Sequence, residues 1–172
     1  DPKDGQAVRE PLPRPPEAMR PERKEVITTS GKGAVIELQS GVSFEALVGQ
    51  FNTARNLTTG IVCIQPQAAL DLHNHPCSES ITVLEGAAEV TVEGRVYRLG
   101  SLDNIVIPRW LPHAARNPEA KSIARLHVAL AMSQPERELI TRTFARVDMP
   151  ADSTGVPGME RVTRFQSAKR TF

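Results

Sequence analysis

The heptapeptide HNHPCSE, at residues 73–79, is the most informative part of this 172-residue sequence. His73 and His75 point to the same side of an extended strand, because strand side chains alternate with a period of two. Both imidazoles can therefore reach one ion. Glu79 follows a short turn and supplies an anionic oxygen, and a third histidine, His113, lies downstream. Three nitrogens and one carboxylate suit a first-row transition metal and leave two octahedral positions open.

The spacing of these residues resembles the first sequence motif of the cupin family. That motif is a His-x-His followed by three residues, a glutamate, six residues and a glycine. His73, His75, Glu79 and Gly86 match it at every position. The departure is at Gln67, six residues before the first histidine, where cupins usually have a glycine. This difference affects a turn and leaves the ligands in place.

A second stretch resembles the other cupin motif, in which a proline is followed by a glycine, a histidine and an asparagine. Pro108, His113 and Asn117 match this motif in type and spacing. Trp110 replaces the glycine, so a large indole occurs at a position where cupins usually have no side chain. The leading glycine is displaced as well, since Gly100 lies two residues farther upstream than the motif expects. We interpret this displacement as a small insertion or a bulge.

The resemblance to cupins implies a fold and a metal site. The two motifs cover residues 67–117, and strand-like sequence extends the similarity from about 25 to 133. A jelly-roll barrel (a double-stranded β-helix) is implied, with one divalent transition metal inside. The implied metal ligands are His73, His75, Glu79 and His113. Iron is the favoured metal, with manganese, nickel or zinc as alternatives, and the motifs assign no separate catalytic residue.

The rest of the pattern is independently typical of an all-β protein, because short strands alternate with turns. The predicted strands cover residues 26–29, 34–38, 42–48, 61–64, 80–84, 89–93, 96–99, 105–107 and 122–132. Residues 136–146 are the one segment that could form a helix, after a start that resembles a helix cap. We therefore divide the chain into a proline-rich flexible arm (1–24), a barrel (25–133) and a C-terminal extension (134–172), which forms a short helix or an extended tail.

Strand alternation also predicts the wall around the ligands. Ile81 and Val83 share a strand face with Glu79, so the wall beside the metal is expected to be apolar. The alternation of residues 89–93 places their valines inside and their glutamates and threonine outside. Such a cavity suits a compact ligand whose polar end meets the metal.

The last long predicted strand carries two residues that could bind substrate or transfer a proton, Arg125 and His127. The alternate positions within residues 126–132 are all apolar and form the better core face, which directs Arg125 and His127 outward. The outward orientation favours an interface or ion-pair role. A catalytic acid or base at His127, with Arg125 binding a substrate carboxylate, stays open as an alternative.

Several other residues allow two interpretations each. Trp110 either leans over the barrel mouth as a ligand cap or packs on the rim. Arg55, Arg109 and Arg116 either bind an anionic substrate or are solvated surface charges. Cys63 lies in a predicted strand, where a small core residue is the simplest interpretation.

Composition limits the partners of the chain. The 21 basic and 20 acidic residues give a net charge of +1, so no strong field favours nucleic acid or a membrane surface. The sequence has no apolar run long enough for a transmembrane helix, and its two cysteines do not suggest a disulfide scaffold. We expect a cytoplasmic protein, although Asp1 in place of Met leaves cleavage of an export signal open. Uncovered sheet edges and the outward face of residues 122–132 predict a homodimer.

Three functions are compatible with these residues. The first is oxidative, dioxygenase-like chemistry on a small, oxygen-rich organic molecule. The second is Lewis-acid isomerisation, decarboxylation or elimination without redox change. The third is binding of a small molecule without turnover. We rank the oxidative reaction first, because three imidazoles and a carboxylate suit redox metals and the predicted wall offers no proton shuttle.

Overall fold

The computed structural model describes residues 26–150, in which twelve strands form two six-stranded sheets. The first sheet contains, in order across it, β1 (Ala34–Gln39), β2 (Val42–Val48), β3 (Thr58–Ile64), β10 (Ala124–Leu130), β5 (Glu79–Glu85) and β8 (Asn104–Ile107). The second sheet contains, in order across it, β11 (Glu138–Leu139), β4 (Ala69–Asn74), β9 (His113–Arg116), β6 (Ala88–Val92), β7 (Arg95–Leu99) and β12 (Val147–Asp148). One 3₁₀ turn, Gln50–Asn52, follows β2.

The core lies between the two sheets, because β3, β5 and β10 alternate buried and less buried residues. In β10, Leu126, Val128 and Leu130 face inward, and in β6 Val90 and Val92 do the same. Most of the buried apolar residues of both sheets form one continuous cluster. The predicted all-β jelly-roll barrel is therefore confirmed. Within the described range, no helix has the length and apolarity needed to cross a membrane.

A sharp bend and a hairpin follow β5. β6 and β7 pair in antiparallel fashion and are joined at Glu93 and Gly94, both with positive φ. Gly86, with φ 76°, follows β5, and a side chain there would meet the carbonyl oxygen of Ile123 at 2.7 Å. This position therefore requires glycine on both conformational and steric grounds.

The prediction of a helix at residues 136–146 is wrong, and the extended alternative holds for the described part of the C-terminal extension. This segment crosses the outer face of the second sheet as a strap, which we define as residues 136–149. β11 pairs with β4 at one edge, and β12 pairs in parallel with β7 at the other. The two sheet edges offer backbone partners, and the β-branched Ile140, Thr141 and Thr143 favour the extended conformation over a helix.

The prediction of a strand at residues 26–29 is also wrong. These residues form no strand, and β2 pairs with β1 at this edge. Ile27 is 85% exposed, so this segment has little apolar burial to hold it in a sheet. The predicted proline-rich arm, residues 1–24, and the end of the extension, residues 151–172, lie outside the described residues.

A buried carboxylate connects the outer face of the second sheet to the strap. Glu89 faces outward as predicted, yet it is only 5% exposed. It accepts hydrogen bonds from Arg116 at 2.7 Å and Arg98 at 3.2 Å, and Arg146 of the strap lies 3.8 Å away. The Arg116 hydrogen bond is the main reason that the pKa of Glu89 is lowered, against the opposing effect of burial.

We predict that Glu89→Gln destabilises the protein at pH 7 by about 1–3 kcal/mol, since it weakens charge-assisted hydrogen bonds. A lowered pKa stabilises the fold fully above the ordinary value of 4.5, and this contribution is lost as pH falls through the folded-state pKa. The difference between parent and variant should therefore shrink at pH 3. Denaturant unfolding at both pH values measures it.

Glu85→Gln is the matched control, because the Glu85–Arg125 pair is 2.7 Å long but exposed on both sides. This control should leave the free energy of unfolding unchanged at either pH. A Glu89→Gln effect that is equally large at pH 7 and pH 3 would contradict the assignment.

Candidate metal centre

The end of β4 positions the first two candidate ligands. His73 lies in the strand, and His75 follows its last residue, Asn74. The side chains of His73 and His75 are on the inner side, and the residues are 3% and 8% exposed. Asn74, between them, pairs through its backbone with Glu138 of the strap. The two-residue alternation expected from the sequence is thus realised.

The other two candidate ligands come from different strands. His113 begins β9, in register with His73 of β4 on one side and Val92 of β6 on the other. Glu79 begins β5 in the opposite sheet, and its side chain faces the histidines. Both residues are buried, at 3% and 7% exposure. The cluster therefore joins the two sheets across the barrel interior.

The four side chains converge on one point. The ring centroids of His73 and His113 are 4.3 Å apart, those of His73 and His75 4.9 Å, and those of His75 and His113 5.5 Å. One ligand atom from each histidine and from Glu79 lies within 4.8 Å of all the others. A buried set of three imidazoles and one carboxylate at this spacing could hold a metal ion.

The hydrogen bonds of the three rings fix their tautomers. Each Nδ1 contacts a backbone carbonyl: His73 with Asp71 O at 2.7 Å, His113 with Leu111 O at 2.8 Å, and His75 with Glu136 O at 2.5 Å. A carbonyl oxygen only accepts, so every Nδ1 carries a proton and donates. The Nε2 atoms are then the ligand atoms, as is typical of histidines that bind metals.

Electrostatics in the cluster favour neutral His73 and His75 rings and an ionised Glu79. Burial, followed by the nearby His113, lowers the pKa of His73 to about 4, and burial also lowers the pKa of His75. Burial opposes ionisation of Glu79, but the His113 hydrogen bond and the surrounding imidazoles outweigh it, so the pKa of Glu79 is lowered. These charge states are those that metal coordination requires.

One contact shows how close the candidate ligand atoms are to one another. His113 Nε2 lies 2.8 Å from Glu79 Oε2, while its Nδ1 donates to Leu111 O. His75 Nε2 is 3.6 Å from the same oxygen. A divalent ion among these atoms would take the place of the direct contact between His113 and Glu79.

The cavity beside the cluster is small and apolar. Its volume is about 20 Å³, which is enough for one water-sized group. Apart from the candidate ligands His73, Glu79 and His113, the lining residues are Val62, Leu70, Ile81, Ala115, Leu126 and Val128. The predicted apolar wall is thus confirmed, but the interior is smaller than a compact organic ligand needs. A substrate would have to approach the ion from the mouth.

Arg125 and His127 lie on the outer face of β10, as predicted from the apolar alternation. Arg125 forms an exposed ion pair with Glu85, and His127 lies in register with Ile61 and Thr82 on the outer surface. Neither residue lines the small cavity. The catalytic alternative for His127 therefore finds no support in the geometry.

The arginines considered as anion ligands lie elsewhere. Arg116 is on the outer face of β9 and binds Glu89, so it does not reach the cluster. Arg55 and Arg109 are exposed on the surface. Their positions correspond to the alternative of surface charges.

Cys63 corrects another prediction, because it is not a core residue. β3 places Val62 and Ile64 inward, so Cys63 falls on the outer face, in register with Arg125.

Asn117, which matches the second motif, holds the backbone after β9. It is fully buried, donates to the carbonyls of Ile64 and Ser122, and accepts from the Glu119 backbone N–H.

Trp110 and Gln67, which replace motif glycines, both adopt a backbone conformation that glycine favours. Both residues have left-handed backbone conformations, with φ 66° and 62°. These are conformations in which glycine is unstrained, so the backbone retains the geometry while the side chains differ from the motif. Trp110 is 53% exposed, and its backbone N–H donates to His75 O at 2.8 Å.

Sequence reasoning missed the carbonyl groups that orient the rings. Asp71 and Leu111 each precede their histidine by two residues, so a local signal was available in the strand geometry. Glu136 is 61 residues from His75, and its acceptor is a backbone atom. No residue type in the sequence marks such a contact.

Two facing, mostly antiparallel sheets that enclose a His-His-Glu-His cluster form a jelly-roll barrel with a candidate metal site. The family model described as Cupin domain matches residues 60–130. This match and the fold around it support a cupin family protein. No curated protein sequence matches it significantly.

Solved structures agree with this fold. The polyketide cyclase RemF from Streptomyces resistomycificus has a TM-score of 0.54 and 20% identity, over 60% of this chain and 73% of that one. An RmlC-like cupin from Shewanella frigidimarina has a TM-score of 0.56 and 19% identity, over 64% and 94%. A variant oxalate decarboxylase from B. subtilis has a TM-score of 0.59 and 20% identity, over 74% and 35%. At these identities the similarities establish the fold alone.

Proposed function

We propose that this protein is a metal-dependent cupin that acts oxidatively on a small, oxygen-rich organic molecule. The proposed ligands are His73, His75, Glu79 and His113, with iron as the favoured ion. When bound, such an ion would supply a redox-active centre with open coordination positions for substrate and dioxygen. The residues support this role because the Nδ1 atom of each ring donates to a backbone carbonyl. The Nε2 atoms of His113 and His75 lie 2.8 Å and 3.6 Å from Glu79 Oε2.

The single observation that favours oxidative chemistry is the composition of the cavity wall. Among the described lining residues, only the candidate ligands His73, Glu79 and His113 are polar. Isomerisation, decarboxylation or elimination requires a group that moves a proton, and such a group would have to be a ligand here. An apolar wall also keeps bulk water away from reactive species. The cavity of about 20 Å³ accommodates a diatomic molecule or a water, with the organic substrate at the mouth.

The ligand assignment predicts metal content. His75→Ala should remove most of the bound metal and leave the barrel folded, because the apolar core supplies the stability. His127→Ala is the matched control and should keep the full metal content, since His127 lies on the outer face. Elemental analysis of both variants beside the parent measures this, with circular dichroism to verify folding. Full metal in His75→Ala, or metal loss in His127→Ala, would show that the ligands are misassigned.

The proposed reaction predicts oxygen consumption. The iron-loaded parent should take up dioxygen with at least one member of a panel of small hydroxy acids, diketones and catechols. His75→Ala should reduce the rate by at least about 100-fold, since loss of a ligand removes the centre. An oxygen electrode with product analysis makes the measurement. Turnover without oxygen uptake would favour the Lewis-acid alternative, and a bound but unchanged ligand would favour the binding protein.

We also propose that the protein is a homodimer, with β1 as the contact edge. Within residues 26–150, β1 ends the first sheet without a further strand beside it. Its Val35 and Ile36 are 65% and 54% exposed, so a second copy could pair with this edge and cover both side chains. Light scattering at micromolar concentration should give a dimer for the parent and a monomer for Val35→Lys. Val106→Lys, on the opposite edge strand β8, should remain dimeric, and a monomeric parent would disprove the proposal.

A further inference from the structure

The strap is attached to the second sheet at two separate places. At the near end, Ile140 N donates to Leu72 O of β4 at 2.9 Å, next to the β11 pairing. At the far end, Val147 N donates to Gly94 O at 2.9 Å, and Met149 N donates to the carbonyl of Val96 at 2.9 Å. Both attachments are made of short, exposed stretches of backbone.

Between these two attachments the strap packs loosely. An open groove of about 320 Å³ lies under it, lined by Leu72, Thr91, Gly94 and residues 140–144. Glu138 and Leu139, which make the near pairing, are both exposed. Segments with few buried apolar contacts and solvent-exposed hydrogen bonds open at low free energy. The near end of the strap is therefore able to separate from β4 without unfolding the barrel.

The near end also holds one of the three site histidines. His75 Nδ1 donates to the carbonyl oxygen of Glu136, which begins the strap. His73 and His113 donate to Asp71 O and Leu111 O, which are within the same strand or loop as the ring they hold. His75 is thus the histidine whose orientation depends on a distant segment, 61 residues along the chain.

We propose that the near end of the strap positions His75 for metal binding, so that its attachment to β4 sets the metal affinity. The inference rests on the metal site proposed above. A histidine that loses the acceptor of its second nitrogen loses its fixed tautomer and ring orientation, and such losses typically lower metal affinity 10- to 100-fold. His73 and His113 keep their local acceptors when the strap separates, so the effect is confined to one ligand.

Two proline substitutions separate the near attachment from the far one. Ile140→Pro removes the donor to Leu72, and Val147→Pro removes the donor to Gly94, so each deletes one strap-to-sheet hydrogen bond. Long-range ¹H–¹⁵N spectra of the chelator-treated protein report the tautomer of every histidine. Ile140→Pro should release His75 from its single Nδ1–H form and leave His73 and His113 unchanged. Val147→Pro should leave all three unchanged.

Zinc titration gives the second readout. The Kd for Zn²⁺ should rise 10- to 100-fold in Ile140→Pro and stay within about twofold in Val147→Pro. By linkage, Zn²⁺ should slow amide exchange of Ile140 in the parent by a similar factor, and more than that of Val147. The amide-exchange measurement uses the parent protein alone, so it tests the proposal even if a proline variant fails to fold.

An unchanged His75 tautomer and zinc affinity in Ile140→Pro would overturn the proposal. Equal changes at all three histidines would also overturn it, because the strap would then support the barrel as a whole. A parent that binds no Zn²⁺ would defeat the proposed metal function. The tautomer spectra of the chelator-treated protein would still decide whether the strap positions His75.

Discussion

The structure depends on burying three imidazoles and a carboxylate between two apolar sheets. A polar group taken from water into an apolar interior costs free energy unless it is hydrogen-bonded, and a buried charge costs more. Here every Nδ1 has a carbonyl acceptor, and Glu79 Oε2 lies 2.8 Å from His113 Nε2. The strands are arranged so that these acceptors are supplied by backbone, which leaves the Nε2 atoms turned toward one another. The cluster is compatible with the apolar core because its buried ring nitrogens have hydrogen-bond partners.

The strap serves the same requirement at a greater distance. It occupies both edges of the second sheet, where unpaired backbone would otherwise be exposed, and it brings a carbonyl to His75. Its path lies close against the sheet at Gly94, where a side chain would collide with the carbonyl of Ala145. Arg146 adds a charged contact with the buried Glu89. Edge protection, charge pairing and ligand orientation are thus combined in one extended segment.

The sequence predicted those features that arise from local alternation and motif spacing. The inward set of β10, the apolar wall beside Glu79 and the convergence of His73, His75 and His113 all follow from a period of two and from the spacing of the motifs. The prediction was wrong where tertiary pairing decides the outcome. Residues 136–146 have a plausible helix start, yet the free edge of β4 holds them extended. The burial of Glu89 was missed too, since its three arginine partners come from three separate segments.

At two positions this chain has another residue where the cupin motifs have glycine, and the backbone conformation is kept although the side chain differs. Gln67 and Trp110 adopt the left-handed conformations that glycine would adopt freely, so the chain accepts strain of order 1–2 kcal/mol at each rather than a different path. The path itself has a purpose at Trp110, because its N–H bonds His75 O and the chain reaches His113 three residues later. The loop therefore connects two candidate ligands through backbone alone. Such a connection constrains φ at position 110 and does not depend on the Trp110 side chain, which is half exposed.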